Sequence, residues 1–171
     1  MSLENQIQNV VSSSYASLRQ ISSMRNLSRS HLETLVHAFI SSKLDSCNAL
    51  YLGLPKKCLK KLQKVQNAAI RVVCNVRARH PVSELYKRLH WLNIEQRICY
   101  KTLLIVFKCI HGLAPMVLQD MCVFNRRDNL SLQITFFNRT KYGKRAFIYY
   151  APRYWNILPV HLRRITKIDS F

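Results

Sequence analysis

Acidic residues are scarce in this sequence. Eight Asp and Glu stand against 27 Lys and Arg in 171 residues, a formal net charge of +19, and no two acids are adjacent. Glycine is nearly missing, with three in the whole chain, which excludes a loop-rich or low-complexity polypeptide. The six cysteines (Cys47, Cys58, Cys74, Cys99, Cys109, Cys122) form no C-x-x-C pair, so the common zinc-knuckle and dithiol spacings are excluded. Without a secretory signal they read as reduced, mostly buried thiols. Long apolar runs are also lacking. Leu103–Phe107 spans five residues between Lys101 and Lys108, which suits a buried helix and is far short of a membrane span. No lipidation motif or leader is visible. The expectation is a nuclear or cytoplasmic protein, neither secreted nor transmembrane.

What is present is a core and a great deal of positive charge. Apolar residues make up 49% of the chain, enough for one packed domain at this length. Four basic residues precede Lys56, eight lie in 56–79, and fifteen are spread from Lys87 to Lys167. That distribution describes a folded body with basic surfaces, and it makes nucleic acid the leading partner, ahead of an anionic membrane.

Lys56 to Arg79 contains eight basic residues and no acid. At about 100° per residue, Lys57, Lys60, Lys64 and Arg71 fall within roughly 60° of one another, with Lys61 beside them. Leu59, Leu62, Val65, Ala69 and Val73 collect opposite. A face needed only for solubility usually mixes signs, because like charges at i,i+4 repel. The ridge therefore reads as a phosphate contact, extended by Arg77 and Arg79 into the next loop, with little sequence reading. The plainer alternative is a solvated helix side.

Helical periodicity runs through 3–24, on Leu3, Ile7, Val10, Val11, Leu18 and Ile21. Ser30-His31-Leu32-Glu33 reads as a capping box opening a helix that carries Leu32, Leu35, Val36, Phe39, Ile40, Leu44 and Cys47 on its apolar side and ends near Gly53 and Pro55. Pro81 suits the start of a short helix through Leu89. Asn93 can cap a central helix, Ile94 to His111, closed by Gly112, and Pro115 starts another to Cys122. Leu130, Leu132, Ile134 and Phe136 alternate with polar residues, a strand signal. An aromatic stretch follows (Phe147, Tyr149, Tyr150, Tyr154, Trp155), interrupted by Pro152 and closed by Pro159. Trp91 and Trp155 read as core anchors.

Three further groups are candidates. Arg97, Lys101 and Lys108 share one side of the central helix, with Leu104 between; they suit phosphate contacts or long side chains lying over core residues. Arg139, Lys141, Lys144 and Arg145 interleave with Phe136, Phe137 and Tyr142, as in single-strand binders, although a hairpin whose aromatics cover a small core explains them better. Cys99, Cys109, His111 and Cys122 invite zinc, but spacings of ten and thirteen fit no finger, and Cys109 and His111 lie about 200° apart on a helix. The remaining histidines are scattered, with no nucleophile paired to them. No metal, no cofactor and no catalytic residue is expected.

Four segments together resemble the region after the polymerase core of non-LTR (LINE-type) retrotransposon reverse transcriptases, in the jockey-like and chicken-repeat-like branches. They are Leu35-Val36-His37-Ala38-Phe39-Ile40 with Leu44-Asp45-Ser46-Cys47-Asn48; Leu62-Gln63-Lys64-Val65-Gln66-Asn67-Ala68-Ala69; Leu89-His90-Trp91-Leu92 with Arg97-Ile98 and His111-Gly112-Leu113-Ala114-Pro115; and Arg145-Ala146-Phe147 with Ala151-Pro152, Trp155-Asn156 and Leu158-Pro159. Their order covers nearly the whole chain. Met1-Ser2-Leu3-Glu4-Asn5 looks like an internal stretch of such a polyprotein, and Phe171 like a cut end. The resemblance implies a region that grips RNA template, primer duplex or target DNA. The family's enzyme activity needs palm aspartates holding two metal ions and an N-terminal endonuclease; neither is present here, so the chain is not expected to be an enzyme.

The sequence thus predicts a mainly α fold of six or seven helices, with a small β element near 130–137 and an irregular aromatic end. Its expected divisions are an amphipathic, thumb-like helix at 1–25, a basic helical domain at 26–123 and a C-terminal region at 124–171. The functional expectation is a non-catalytic nucleic-acid-binding fragment of an RNA-directed DNA polymerase. The alternatives are a helical interaction or self-association module, with residues 3–24 docking on a partner such as the missing palm, and a decayed element copy without a role. Membrane or calmodulin binding ranks last, because the apolar face of the basic helix is modest and has no aromatic anchor.

Overall fold

The computed structural model describes residues 3–24, 26–77, 79–126, 128–134 and 146–171. It is mainly helical, with one small antiparallel sheet of two strands, as the sequence predicts. The chain separates into two compact units, Met1–Arg97 and Ile98–Phe171. Within the first of them the N-terminal helix shares a core with the basic helix.

In the first unit, α1 (Leu3–Ser23) packs along α4 (Lys56–Val73). Ile7, Val10, Leu18 and Ile21 are buried on one side of α1; Leu62, Val65, Ala69, Ile70 and Val73 are buried on α4. Each of these Ile, Leu and Val side chains contributes about 1.5–3 kcal/mol on burial. Four residues of the α1 stripe expected to be open for docking, Ile7, Val10, Leu18 and Ile21, are therefore covered within the unit, while Leu3 at its start is 38% exposed.

Between them run α2 (Arg29–Val36), a π-helical turn at His37–Ser41 and α3 (Ser42–Asp45). Ser28 caps α2, its Oγ accepting the His31 N–H at 3.4 Å; the cap expected at Ser30 falls two residues later, inside the first turn of the helix. Leu32, Val36, Ile40 and Leu44 are all buried. A strict four-residue repeat drifts about 40° per step on an α-helix, and the wider π turn takes up that drift. Its consequence is Phe39, expected inside but 51% exposed. A 3-10 turn (Asn48–Tyr51) then leads through Gly53 (φ 72°) and Pro55 to α4.

α5 (Ser83–Leu89) ends at His90 in the left-handed region, φ 53°. α6 (Ile94–Ile110) opens on a reciprocal cap: the Gln96 N–H donates to Asn93 Oδ1 at 2.9 Å and the Asn93 N–H to Gln96 Oε1 at 3.0 Å. It closes as expected on Gly112 (φ 71°), with the Leu113 N–H bonded to the Lys108 carbonyl at 2.8 Å, a Schellman arrangement.

The second unit is organised around Leu103, Val106, Phe107, Leu132, Ala151 and Trp155, all buried. After α7 (Met116–Gln119), β1 (Phe124–Asn125) pairs with β2 (Asp128–Leu132). The strand begins earlier than expected, and 135–137 lie outside the described residues. The aromatic stretch is not irregular: it forms α8 (Phe147–Ile157), with Pro152 inside. An internal proline costs a helix about 3 kcal/mol, and burial of Ala151, Pro152 and Trp155 on one side offsets it. The short α9 (Val160–Arg163) follows.

Side chains of α8 and α9 tie β2 down. Trp155 donates its indole N–H to the Leu130 carbonyl at 3.0 Å, as suits a core anchor. Asn156 accepts the Leu132 N–H and donates to the Leu132 carbonyl, both at 2.9 Å, so one amide acts as a further strand partner. Arg163 reaches Leu130 O at 3.2 Å and Ser131 Oγ at 2.8 Å. Among the described residues, no helix is long and apolar enough to cross a membrane.

Candidate nucleic-acid interface

α4 separates its faces as the wheel predicts. Lys56, Lys57, Lys60, Lys61 and Lys64 are exposed, while Cys58, Leu62, Val65, Gln66 and Ala69 are buried. No lysine of this ridge pairs with a carboxylate among the described residues. Lys61 alone makes a polar contact, donating to Gln8 Oε1 at 3.2 Å. Five lysine pairs at i,i+3 or i,i+4, each costing about 0.2–0.5 kcal/mol, sum to roughly 1–2 kcal/mol of repulsion. Lysines in the first turn also oppose the helix dipole, which favours anions there. The ridge is thus a standing cost to the isolated fold, of the sign that a bound polyanion would remove.

The other polar residues of α4 work inside the unit. Gln63 donates to Asn67 Oδ1 at 2.8 Å, lies 2.6 Å from the Tyr86 hydroxyl, and accepts the Ile94 N–H at 2.9 Å. Tyr86 donates to Asn67 Oδ1 at 2.9 Å, and Gln66 to the Leu92 carbonyl at 2.7 Å. Burial pushes the Tyr86 phenol up to about 12, against smaller opposing effects of the Gln63 hydrogen bond and the charges of Arg97 and Arg71. This network holds the α5–α6 connection against α4 and fixes which face the lysines present.

The arginines divide. Arg71 is half-buried; its Nε donates to the His80 carbonyl at 3.0 Å and Nη1 to the Asn67 carbonyl at 3.5 Å, so it braces the following turn. Arg77 and Arg79 are exposed on that turn. Arg97 is not available as a phosphate contact. It forms a two-pronged ion pair with Asp45, Nε to Oδ1 at 2.8 Å and Nη2 to Oδ2, with side chains only 17% and 23% exposed. Asp45 is held in turn by Asn48 Nδ2 at 3.2 Å. Sequence spacing could not reveal a pair 52 residues apart.

Lys101 and Lys108 are half-buried on the second unit's part of α6, with Leu104 half-buried between them. Arg139, Lys141, Lys144 and Arg145 lie outside the described residues. Trp91 is half-buried; its indole N–H donates to Glu33 Oε1 at 3.2 Å, and its ring stands 4.9 Å from that of His37. Among the described residues, no three His, Cys, Asp or Glu side chains converge to hold a metal. Burial pushes the Cys122 thiol up to about 12 and raises Cys109, and the two thiols share a hydrogen bond, so they are protonated core groups.

Sequence reasoning missed Arg19 and Arg29. They stand alone in their segments, yet the fold brings them beside Arg71 and Arg77 around one cavity at the far end of α4. No family model, no curated protein and no solved structure matches the chain.

Proposed function

We propose that this chain is a non-catalytic nucleic-acid-binding fragment, akin to the thumb and post-polymerase part of a non-LTR retrotransposon reverse transcriptase. In this reading α4 lies along a sugar-phosphate backbone of RNA template, primer duplex or target DNA. The observation that carries it is the ridge of five outward lysines with no carboxylate partner among the described residues. Residues 1–97 carry fifteen Lys and Arg against five Asp and Glu, and two of those five acids are engaged internally with Arg97 and Trp91. The unpaired cations are thereby left to the surface. The contacts are to phosphate, so affinity depends steeply on salt and only weakly on sequence. In this reading bond-making chemistry belongs to a palm with paired aspartates, and no two acidic residues are adjacent in these 171 residues.

Titrating a labelled 20-base-pair duplex against the full chain from about 50 to 300 mM salt tests the proposal. Four to five phosphate contacts give a slope near −4 in log K against log salt and a loss of roughly 10³ in affinity over that range. A flat response removes the proposal.

A further inference from the structure

We infer that the cavity at the carboxyl end of α4 is a pocket for one unpaired nucleotide of the bound strand; this rests on the nucleic-acid reading above. The cavity measures about 720 Å³ and opens between α1, the start of α2 and the end of α4. That volume is within the ~300–1,000 Å³ common for small-ligand sites. Four guanidinium groups line it, Arg19, Arg29, Arg71 and Arg77, and no carboxylate does. Arg19, Arg29 and Arg77 are exposed, and the bonds of Arg71 go to carbonyl oxygens, so none of the four charges meets a carboxylate among the described residues. Between them Leu18, Leu32 and Val73 give buried aliphatic surface, Tyr15, 37% exposed, adds a ring, and Ser22 and Asn75 add polar groups.

Four guanidinium groups around aliphatic surface, one tyrosine ring and two polar side chains match the anionic, aromatic and hydrogen-bonding parts of a nucleotide. The base lies on the aliphatic floor against Tyr15, where stacking is indifferent to base identity. The flanking phosphates meet arginine forks, which bind phosphate with two parallel hydrogen bonds. The dipole at the end of α4 contributes only about half a negative charge, which Arg71 and Arg77 outweigh. A paired base cannot enter, because its faces and edges are taken up in the helix. The cavity therefore adds affinity only where the strand is single. Lysine ridge and arginine cavity stand on the same helix, so a duplex on the first can deliver a strand end to the second.

The test compares the full chain on a blunt 16-base-pair duplex and on the same duplex with a four-nucleotide 3′ extension. The extended duplex is expected to bind about tenfold more tightly, and Tyr15→Ala to abolish that advantage while blunt-duplex binding is kept. Tyr15→Phe retains the ring and is expected to retain the advantage. Arg19→Ala combined with Arg29→Ala provides a second variant at exposed positions. Photo-crosslinking of a 5-iodouridine placed in the extension is expected to label the peptide carrying Tyr15. Equal affinity for blunt and extended duplexes overturns the pocket while leaving the ridge proposal standing. Failure to bind either duplex overturns both. Binding of anionic vesicles that Tyr15→Ala abolishes, with no gain from the extension, assigns the cavity to a lipid phosphate and overturns the nucleotide.

Discussion

Exchanging Lys56 and Lys57 for glutamate at the start of α4 separates a charge kept for folding from one that folding does not need. Both side chains are exposed, in the first turn of a helix with no side-chain cap. There a cation opposes the dipole and an anion is favoured, each by about 0.3–1 kcal/mol. The exchange also turns the repulsive pairs Lys56–Lys60 and Lys57–Lys61 into Glu–Lys pairs at i,i+4, in the better orientation, worth about 0.3–0.5 kcal/mol each. The double variant is therefore expected to be more stable by about 1–3 kcal/mol at low salt, a rise of several degrees in Tm that shrinks as salt is added. Its affinity for duplex should move the other way, with a salt slope lower by about 1 to 2 as one or two phosphate contacts are lost. Circular-dichroism melts and fluorescence titrations at matched salt measure both. A variant that is less stable than the parent, or that binds with an unchanged slope, refutes the reasoning.

Two further outcomes follow from particular hydrogen bonds. Asn156→Ala removes both bonds to Leu132 and leaves the outer edge of β2 unpaired; a loss of about 1–3 kcal/mol is expected from urea midpoints, with protection from amide exchange lost first in 128–132. For Tyr86, the raised phenol value means that the stability contributed by the neutral hydroxyl is complete below pH 10 and disappears as pH rises toward about 12. Tyr86→Phe should therefore be less stable than the parent by about 1 kcal/mol at pH 8. That gap should narrow above pH 10, and a gap independent of pH contradicts the assignment.

Local chemistry was legible in the sequence where one segment decides its own geometry. Asn93 and Gln96 cap each other, Gly112 takes the left-handed end of α6, and the two faces of α4 follow from a 3.6-residue period. Misreadings arose where a distant packing partner decides. Ser30 and Glu33 have the spacing of a capping box, but α2 is capped two residues earlier by Ser28, and Glu33 is drawn to the Trp91 indole. Phe39 falls on the buried side of an α-helix, and only the π turn rotates it outward. Pro152 reads as a break, yet a core gathered around Trp155 carries the helix across it. Arg97 looks free in a basic list because Asp45 lies 52 residues upstream. Arg19 and Arg29 carry no local signal, since their shared cavity exists only once α1 and α2 are set on α4.

The few carboxylates explain why the lysine ridge matters more than the net charge alone. A protein with so large an excess of cations must leave most of them unpaired, so an unpaired lysine by itself says little. Placement is informative. Where the first unit needs a charge inside its structure it uses one, Arg97 on Asp45, and it supports that pair with Asn48. Lys43 is likewise held, donating to Ser13 O at 3.2 Å and Ser17 Oγ at 2.9 Å. The α4 lysines are placed otherwise: clustered so that they repel, at the helix end where the dipole repels them too, and with a glutamine as their one polar contact. None of these features helps α4 to fold, and together they cost it roughly 1–2 kcal/mol. Glutamate at the two first-turn positions, or glutamine along the face, would relieve the repulsion without lowering helix propensity. What those substitutions could not do is line up five positive charges on one exposed face, and that is the property an extended polyanion recognises.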